Sequence, residues 1–428
     1  AYEVANSCRF DTNAGMTKAS VSGTQTKATF SAWVKRSILG DESALFYSRI
    51  DASNHFLIRF TGGDALELLN RVSASNISVY TTNALYRDPS AWMHVCWSID
   101  TTQGTASNRI KLYVNGTQVT SWATSTTQDA DTNLSANTTS DDYYVAAEYT
   151  SDDNYFDGYL AEVVWIDGTA YAASDFGEFD EDSPTIWKPK DVSGLTFGNS
   201  GFYLDFEDSA NLGNDVNGGT DLTESNLAAT DQSTDTPTNN FCTLNPLATG
   251  SYNTLSEGNL MTTGNTASDS GLATTTIPFA FGGKWYWEMK IIDGNLNSNS
   301  GYPICGIFDD WESVVDADLN GAGGAALALD VQVQFGAGAG QTLIKPGTDL
   351  SITAPADDDI IMFAIDKDNN KFYMGNNGTW YNSGDHTTGA TGTGSLMDLT
   401  ANTITMFGIH EYNGSDASTN FGSPTYAN

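Results

Sequence analysis

Short segments in which apolar and polar residues alternate constrain the fold of this chain more than any other feature. Thr29–Lys35, His55–Phe60 and Ile110–Val114 alternate clearly, and a period of two places the apolar side chains on one face of a β-strand. Asn115-Gly116 follows the third segment. It predicts a two-residue hairpin, because Asn and Gly both tolerate a positive φ. No long segment shows the 3.6-residue period of a helix, so we predict an all-β protein.

The alternation stops near the middle of the chain and then returns. Lys284–Lys290 and Ile360–Asp366 alternate like the segments of the first half, while the stretch before them is rich in Pro, Asn and Thr, which favour turns and extended chain. We therefore predict two antiparallel β-sandwich (jelly-roll) domains in tandem, at residues 1–235 and 259–428, with a linker at 236–258.

The charge of the chain excludes two classes of partner. Lys and Arg total 18 against 53 Asp and Glu, which gives a formal net charge of −35. Such a surface repels DNA, RNA and anionic membranes, because phosphate binding needs clustered Lys and Arg. No segment approaches the roughly 18 apolar residues of a membrane span. We expect no nucleic-acid partner and no membrane insertion.

The four cysteines are far apart in the sequence, at Cys8, Cys96, Cys242 and Cys305. They form no C-x-x-C motif and no cluster with histidine, so the sequence does not indicate a zinc site. Four cysteines in a chain of 428 residues do not make a disulfide scaffold. We predict free, buried thiols.

The first half resembles a known family in the order and spacing of four motifs, Phe30–Lys35, Trp92–Val95, Ile110–Gly116 and Phe156–Glu162. They resemble the laminin-G-like, concanavalin A-type lectin/glucanase sandwich over about residues 1–235. The resemblance implies a lectin-like β-sandwich.

The second half is similar to a SPRY-type sandwich. Gly283–Glu288 resembles the opening strand of that family, and Cys305–Ile307 resembles a second strand. Ile361–Asp366 and Lys371–Tyr373, with the Asn/Gly turn that follows, resemble its central hairpin.

The two halves together resemble structural proteins of marine tailed bacteriophages, through Asn6–Phe10, Gly201–Phe206 and Asp235–Pro246. This resemblance implies a protein on the virion surface, in a tail fibre or similar appendage, that presents lectin-like domains for adhesion to host-surface glycans. Other virion proteins would be its partners, and a homo-oligomer is expected, a trimer if it forms a fibre. A capsid decoration or head-fibre protein is the alternative, and a polysaccharide depolymerase is a third.

Laminin-G and lectin sandwiches often hold Ca²⁺ on loop carboxylates, and this chain has candidates in three loops. Asp141, Asp142, Asp152, Asp153 and Asp157 offer the hard oxygen ligands that Ca²⁺ prefers. The alternative is that these carboxylates only keep the surface soluble. Ca²⁺ is the one cofactor that the sequence suggests.

Aromatic residues in loops are the candidates for stacking on sugar rings. The best single patch is Tyr143, Tyr144, Tyr149 and Tyr155, which lie near the acidic loops. The patch could equally be a protein–protein interface, where Tyr is enriched. Three further loop aromatics are candidates: Tyr80, Tyr86 and Trp122.

Catalysis is not indicated, and we expect a protein that is not an enzyme. The acidic run Glu178–Asp182 lacks apolar alternation and precedes Ser183-Pro184, so it indicates a loop and not the paired carboxylates of a retaining glycosidase. His94 lies within a predicted strand, and we expect a structural role for it.

Overall fold

The computed structural model describes residues 2–148, 154–250, 253–264, 272–279, 282–293, 302–308, 329–334, 341–345, 348–352, 355–401, 404–412 and 414–425. The regular structure of these residues is β-strand with a few 3₁₀ turns and no α-helix, which confirms the predicted all-β class. The chain divides into two compact units, Ala1–Asn240 (unit 1) and Phe241–Asn428 (unit 2).

The strands of unit 1 are β1 (Ser7–Phe10), β2 (Gly15–Ala19), β3 (Lys27–Arg36), β4 (Ser43–Asp51), β5 (Asn54–Phe60), β6 (Ala65–Val72), β7 (Ser75–Leu85), β8 (Met93–Asp100), β9 (Ile110–Val114), β10 (Thr117–Gln118), β11 (Trp122–Thr126), β12 (Asp142–Val145), β13 (Gly158–Asp167), β14 (Gly177–Phe179), β15 (Trp187–Pro189), β16 (Phe202–Leu204), β17 (Thr223–Ser225) and β18 (Gln232–Ser233). Its 3₁₀ turns are Ala106–Asn108, Ala173–Asp175 and Ala229–Asp231.

Unit 1 is built from two eight-stranded sheets and a two-stranded sheet of β14 and β15. The first has the order β10-β9-β8-β3-β13-β1-β18, with β16 beside β13, and the second has the order β11-β7-β6-β5-β4-β12-β2-β17. The hairpin between β9 and β10 turns at Asn115 and Gly116, whose φ angles are 46° and 72°. The predicted two-residue turn is therefore confirmed.

The core of unit 1 lies between the two sheets and is rich in aromatic rings. Phe46 of the second sheet stacks on Trp165 of the first with ring centroids 4.4 Å apart, and Phe30 lies 5.9 Å from Phe46. All three side chains have no exposed surface. Alternation along β3, β4 and β13 sends these rings inward, and burial of such large rings is a major stabilising contribution.

The outer face of the first sheet is covered by the C-terminal part of unit 1. Asp235 is 2% exposed and lies 2.6 Å from the Nζ atom of Lys35 on β3. The indole N–H of Trp92 donates to the same carboxylate over 2.8 Å, and Lys35 also donates to Asn240 over 2.8 Å. A buried charge is stable only when it is paired and hydrogen-bonded, so this cluster fixes the covering segment on the sheet.

The strands of unit 2 are β19 (Leu244–Thr249), β20 (Asn253–Ser256), β21 (Met261–Gly264), β22 (Ala273–Thr275), β23 (Lys284–Asp293), β24 (Tyr302–Phe308), β25 (Leu329–Gln334), β26 (Gln341–Lys345), β27 (Thr348–Ile352), β28 (Ile360–Asp366), β29 (Lys371–Asn376), β30 (Thr379–Trp380), β31 (Met397–Asp398), β32 (Met406–Tyr412) and β33 (Asp416–Asn420). Its 3₁₀ turns include Tyr381–Ser383 and Gly389–Thr391.

Unit 2 also contains two sheets with one aromatic core between them. Their orders are β19-β22-β32-β24-β25-β26-β27 and β20-β21-β33-β23-β28-β29-β30, with β31 beside β29. Trp287 of β23 stacks on Phe363 of β28 at 5.1 Å, and Phe407 of β32 meets the edge of Trp287 at 5.3 Å. The two sheets thus close on each other through β23, β28 and β32.

Two further predictions can be compared with this architecture. The segment 236–258, predicted as a linker, contains β19 and β20, which pair within the sheets of unit 2. The turn signals seen there separate these short strands instead of marking a free connection. Cys8, Cys96 and Cys305 are buried, as predicted, whereas Cys242 is half-buried.

We predict that Asp235→Ala lowers the free energy of unfolding of unit 1 by about 3–5 kcal/mol, because it leaves the Lys35 ammonium buried without its carboxylate. Chemical denaturation followed by tryptophan fluorescence measures the change. Lys188→Ala is the matched control, since Lys188 pairs with Asp180 at 3.3 Å near the surface, where an ion pair contributes little to stability. Equal losses in the two variants would contradict this role for Asp235.

Candidate functional site

A row of aromatic side chains crosses the outer face of one sheet of unit 2. Alternation along β23 sends Trp287 into the core and leaves Tyr286 on the opposite face. Tyr286 is opposite Ala364 of β28, which is opposite Tyr373 of β29. Because the small Ala364 stands between two tyrosines, the row forms a groove with an alanine floor.

Trp380 forms the next part of the groove. The Asn377-Gly378 turn, with φ angles of 46° and 81°, brings β30 back beside β29 and places Trp380 opposite Gly375. The ring of Trp380 lies 6.4 Å from the rings of both Tyr286 and Tyr373. We call Tyr286, Tyr373, Trp380 and His386 the aromatic groove.

The groove is open to solvent and holds a cavity of about 180 Å³. Tyr286 is 53% exposed. The exposed His386 ring lies 5.0 Å from Trp380. The Tyr373 side chain is buried, and its hydroxyl has no hydrogen-bond partner in the described part of the chain.

Charged and polar groups flank the rings. The Tyr286 hydroxyl donates to Glu288 over 2.6 Å, and burial together with the Glu288 carboxylate raises the pKa of Tyr286. Lys284 lies 3.7 Å from Asp366 and lines the cavity with it. A hydrophobic floor with a few fixed polar groups at its edges is typical of small-molecule binding sites.

The predicted tyrosine patch is divided by the structure. Tyr143 has no exposed surface, and its hydroxyl donates to Asn137 over 2.6 Å and lies 2.7 Å from Ser200 Oγ. Tyr143 faces the core because it alternates with Tyr144 along β12. Its prediction as a sugar-stacking residue was therefore wrong.

Tyr144 and Tyr155 do share a cluster, on the outer face of the second sheet of unit 1. Tyr144 is 6% exposed and packs 5.9 Å from Tyr47, and the half-buried Tyr155 packs against the same cluster. Because so little of its surface is exposed, Tyr144 contributes to the packing of this cluster more than to stacking on a sugar ring. Tyr149, the fourth predicted residue, lies outside the described residues.

The loop carboxylates predicted for Ca²⁺ have different surroundings. Asp141 is 2% exposed and accepts hydrogen bonds from the hydroxyls of Ser20, Ser48 and Thr138, at 2.6, 2.7 and 2.6 Å. These donors already satisfy both its oxygen atoms. We therefore correct its assignment from metal ligand to structural anchor.

Asp142 is exposed at the start of β12, and Asp157 is buried just before β13. Asp152 and Asp153 lie outside the described residues, so for them Ca²⁺ binding stays a prediction. The part of the chain that the structure describes holds no group of three or more His, Cys, Asp or Glu placed to bind a metal ion. Among the same residues, no helix is long and apolar enough to cross a membrane.

A serine and a histidine meet in the interior of unit 1. Ser31 Oγ lies 2.9 Å from His94 Nε2, while the indole N–H of Trp187 donates to His94 Nδ1 over 3.2 Å. Since indole can only donate, Nδ1 is the acceptor, and Nε2 carries the proton of the neutral ring. His94 thus donates to Ser31 and cannot take its proton. Burial lowers the pKa of His94 to about 3, so the ring is neutral and structural.

A buried glutamate lies at the irregularity of β13. Glu162 is 5% exposed and its carboxylate accepts from Tyr203 over 2.8 Å and from Tyr2 over 3.1 Å. Burial raises the pKa of Glu162 to about 7. Glu162 ends one motif of the lectin-type resemblance, but the sequence pattern did not predict its buried carboxylate. A bulge interrupts the pairing between Ala161 and Val164, and the φ of 51° at Glu162 is not visible in a strand-like pattern.

Residues 10–173 match the sequence model of the concanavalin A-like lectin/glucanases superfamily. The match lies within unit 1 and covers less than half of the chain. It confirms the lectin-type resemblance of this segment. No curated protein matches the chain.

Several solved structures are similar to parts of this chain. The SPRY domain of human HERC1 is 14% identical, covers 38% of this chain and 89% of its own, and has a TM-score of 0.28. A Bacteroides ovatus protein described as carbohydrate binding is 15% identical, with coverages of 53% and 61% and a TM-score of 0.36. A SAP-like pentraxin from Limulus polyphemus is 12% identical, with coverages of 40% and 80% and a TM-score of 0.31. At these identities and scores the likenesses say nothing of function.

We predict that Glu162→Gln makes unit 1 less sensitive to pH. The pKa of Glu162 rises from the ordinary 4.5 to about 7 on folding, so wild-type stability falls as the pH rises from about 4.5 to 7 and is constant above that range. The total loss from this one group is about 3 kcal/mol. Denaturation at pH 4.5 and pH 7.5 should show a smaller difference in the variant, which retains the oxygen that accepts from both tyrosines. An unchanged difference would contradict the prediction.

Proposed function

We propose that this protein binds glycans through the aromatic groove of unit 2 and displays this surface on the exterior of a bacteriophage particle. The observation that carries the binding proposal is the open groove formed by Tyr286, Tyr373 and Trp380 over the small residues Ala364 and Gly375.

The groove has the chemistry that a sugar ring requires. One face of a pyranose carries mainly C–H groups and packs on an aromatic ring, while the hydroxyls at its edge need hydrogen-bond partners. Tyr286 offers an exposed ring in the lining of the cavity, and Trp380 lies beside it. Lys284 and His386 offer the polar contacts. A cavity of about 180 Å³ suits one sugar residue of a longer chain.

Two further observations support glycans as the ligand class. Residues 10–173 match a superfamily of lectins and glucanases, which makes sugar binding a natural expectation for unit 1 as well. The net charge of −35 opposes dense polyanions. We therefore propose that the groove takes a neutral glycan.

The virion location rests on the sequence motifs that resemble phage structural proteins, Asn6–Phe10, Gly201–Phe206 and Asp235–Pro246. A tail fibre or appendage fits adhesion to a host surface, with other virion proteins as neighbours. Locating the chain in a reconstruction of the particle tests this part of the proposal. Density in the capsid shell in place of the tail would favour a decoration role.

We predict that Tyr286→Ala weakens binding of a neutral glycan at least about tenfold, because loss of the exposed ring removes one stacking contact. The wild-type chain is first applied to a glycan array, and the affinity for a retained neutral glycan is then measured by calorimetry. Because Tyr286 is 53% exposed, the variant should melt within a few degrees of the wild type.

Leu247→Ala is the control for this experiment. Leu247 is 61% exposed in the same unit and does not line the groove, so the variant should bind like the wild type. The proposal fails if the array retains no neutral glycan, or if Tyr286→Ala binds a retained one as tightly as Leu247→Ala does.

A further inference from the structure

Unit 1 contains a separate cavity of about 300 Å³ beside the C-terminal end of β3. Its lining includes Arg36, Tyr86, Arg87, Trp92 and Asn115. Arg36 ends β3, and Tyr86 and Arg87 follow β7. The size lies at the lower end of the range for small-ligand sites, and the lining combines two aromatic side chains with two guanidinium groups.

Arg36 is held rigidly in this wall. Its side chain is 3% exposed, and Nη1 lies 3.0 Å from Asp64 Oδ1. The same nitrogen donates to the Tyr86 carbonyl over 2.7 Å. The guanidinium plane also lies over the ring of Phe60, with Cζ 4.2 Å from the ring centroid. These contacts fix the group in one orientation.

The other edge of the guanidinium is unused. Nε and Nη2 of Arg36 are buried and have no hydrogen-bond partner among the described residues. The N–H bonds of these two atoms project side by side from one edge of a planar group, which is the geometry that binds a carboxylate with two parallel hydrogen bonds. Donors left in this state inside a protein need a ligand or a water to satisfy them.

We propose that the Nε/Nη2 edge of Arg36 binds the carboxylate of a small acidic sugar, a uronate, in the unit 1 cavity. The carboxylate is inferred from the unpaired Nε/Nη2 edge of Arg36 and does not depend on the proposed function. The sugar part rests on the proposed glycan function. It is supported by the aromatic lining from Tyr86 and Trp92, on which a pyranose ring can pack.

The local charges permit this ligand in spite of the acidic surface. Asp64 accepts from Arg87 over 2.6 Å as well as from Arg36, so two guanidinium groups share one carboxylate. Asp88 is the acidic group of the lining, and its Oδ1 already accepts from the backbone N–H and hydroxyl of Ser90. The more distant carboxylates are screened beyond about 8 Å at physiological salt.

A ligand can reach the Nε/Nη2 edge of Arg36, here called the fork, only if neighbouring side chains move. Both nitrogen atoms are buried, whereas the lining residues Leu85 and Arg87 are exposed, with the Leu85 residue at 49% and the Arg87 side chain at 54%. We expect the Leu85 side chain to move aside when the ligand enters, while Arg87 stays paired with Asp64.

The test is a titration of the full chain with galacturonate and, separately, with galactose at 0.15 M salt. We expect galacturonate to bind and to shift the Nε–H signal of Arg36 in the nitrogen–proton NMR spectrum, while galactose leaves it unchanged. Arg36→Lys retains the charge beside Asp64 but lacks the fork, so it should bind galacturonate at least about tenfold more weakly. The NMR shift in the wild type reads out binding even if this variant is unstable.

Two control variants separate this site from others. Arg59→Lys changes an arginine that pairs with Glu42 and Glu67 elsewhere in unit 1, and it should bind like the wild type. Tyr286→Ala removes the groove contact in unit 2 and should leave galacturonate binding intact, so failure of the groove proposal does not affect this result. The inference is overturned if galacturonate leaves the Arg36 signal unmoved, if galactose binds equally well, or if Arg36→Lys retains full affinity.

Discussion

The buried ion pair between Lys35 and Asp235 is the interaction on which much of unit 1 depends. Lys35 Nζ and Asp235 Oδ2 are 2.6 Å apart, and both side chains are 2% exposed. The pair holds the C-terminal segment of unit 1 over the outer face of the first sheet. The same carboxylate orients the indole of Trp92, which lines the cavity beside Arg36. Because neighbouring residues of a strand face opposite sides, Lys35 reaches the covering segment while Arg36 reaches Phe60 in the core. The C-terminal end of β3 thus both anchors the covering segment and forms part of the wall of the cavity.

The sequence predicts strands well here because a strand is a local pattern. The alternation in Ile110–Val114 and the Asn115-Gly116 turn correspond to β9 and its hairpin. The aromatic groove depends on a different quantity, the register between strands. Tyr286 and Tyr373 are far apart in the sequence, and only the pairing of both with Ala364 makes them neighbours. The pairing of Ala364 with Tyr373 lies within a local hairpin, but no local pattern encodes the pairing of Tyr286 with Ala364, so the groove could not be predicted from the sequence.

The predictions for Tyr143 and Asp141 were wrong for a related reason. Tyr143 and Tyr144 are adjacent in the sequence, yet one lies in the core with its hydroxyl near Asn137 and Ser200, and the other lies on the outer face. Which of two alternating tyrosines faces the core depends on the sheets that enclose them. Asp141 was predicted as a metal ligand from its charge and loop position. Its hydroxyl partner Ser48 belongs to β4, and a partner so distant in sequence is invisible until the fold is known.

The small number of basic residues and their positions determine how the net negative charge acts at the surface. The chain has only 18 Lys and Arg, and several of those in unit 1 are buried against carboxylates, as in the pairs Arg9–Asp231, Lys18–Asp215 and Lys35–Asp235. Positive charge that is buried and paired in this way contributes little to the outer field, so the surface repels polyanions strongly. Arg36 is also buried and paired with a carboxylate. Its pairing with Asp64 uses one edge of the guanidinium and leaves the other without a partner among the described residues, so recognition of an anion there depends on short-range geometry and not on the field of the whole protein.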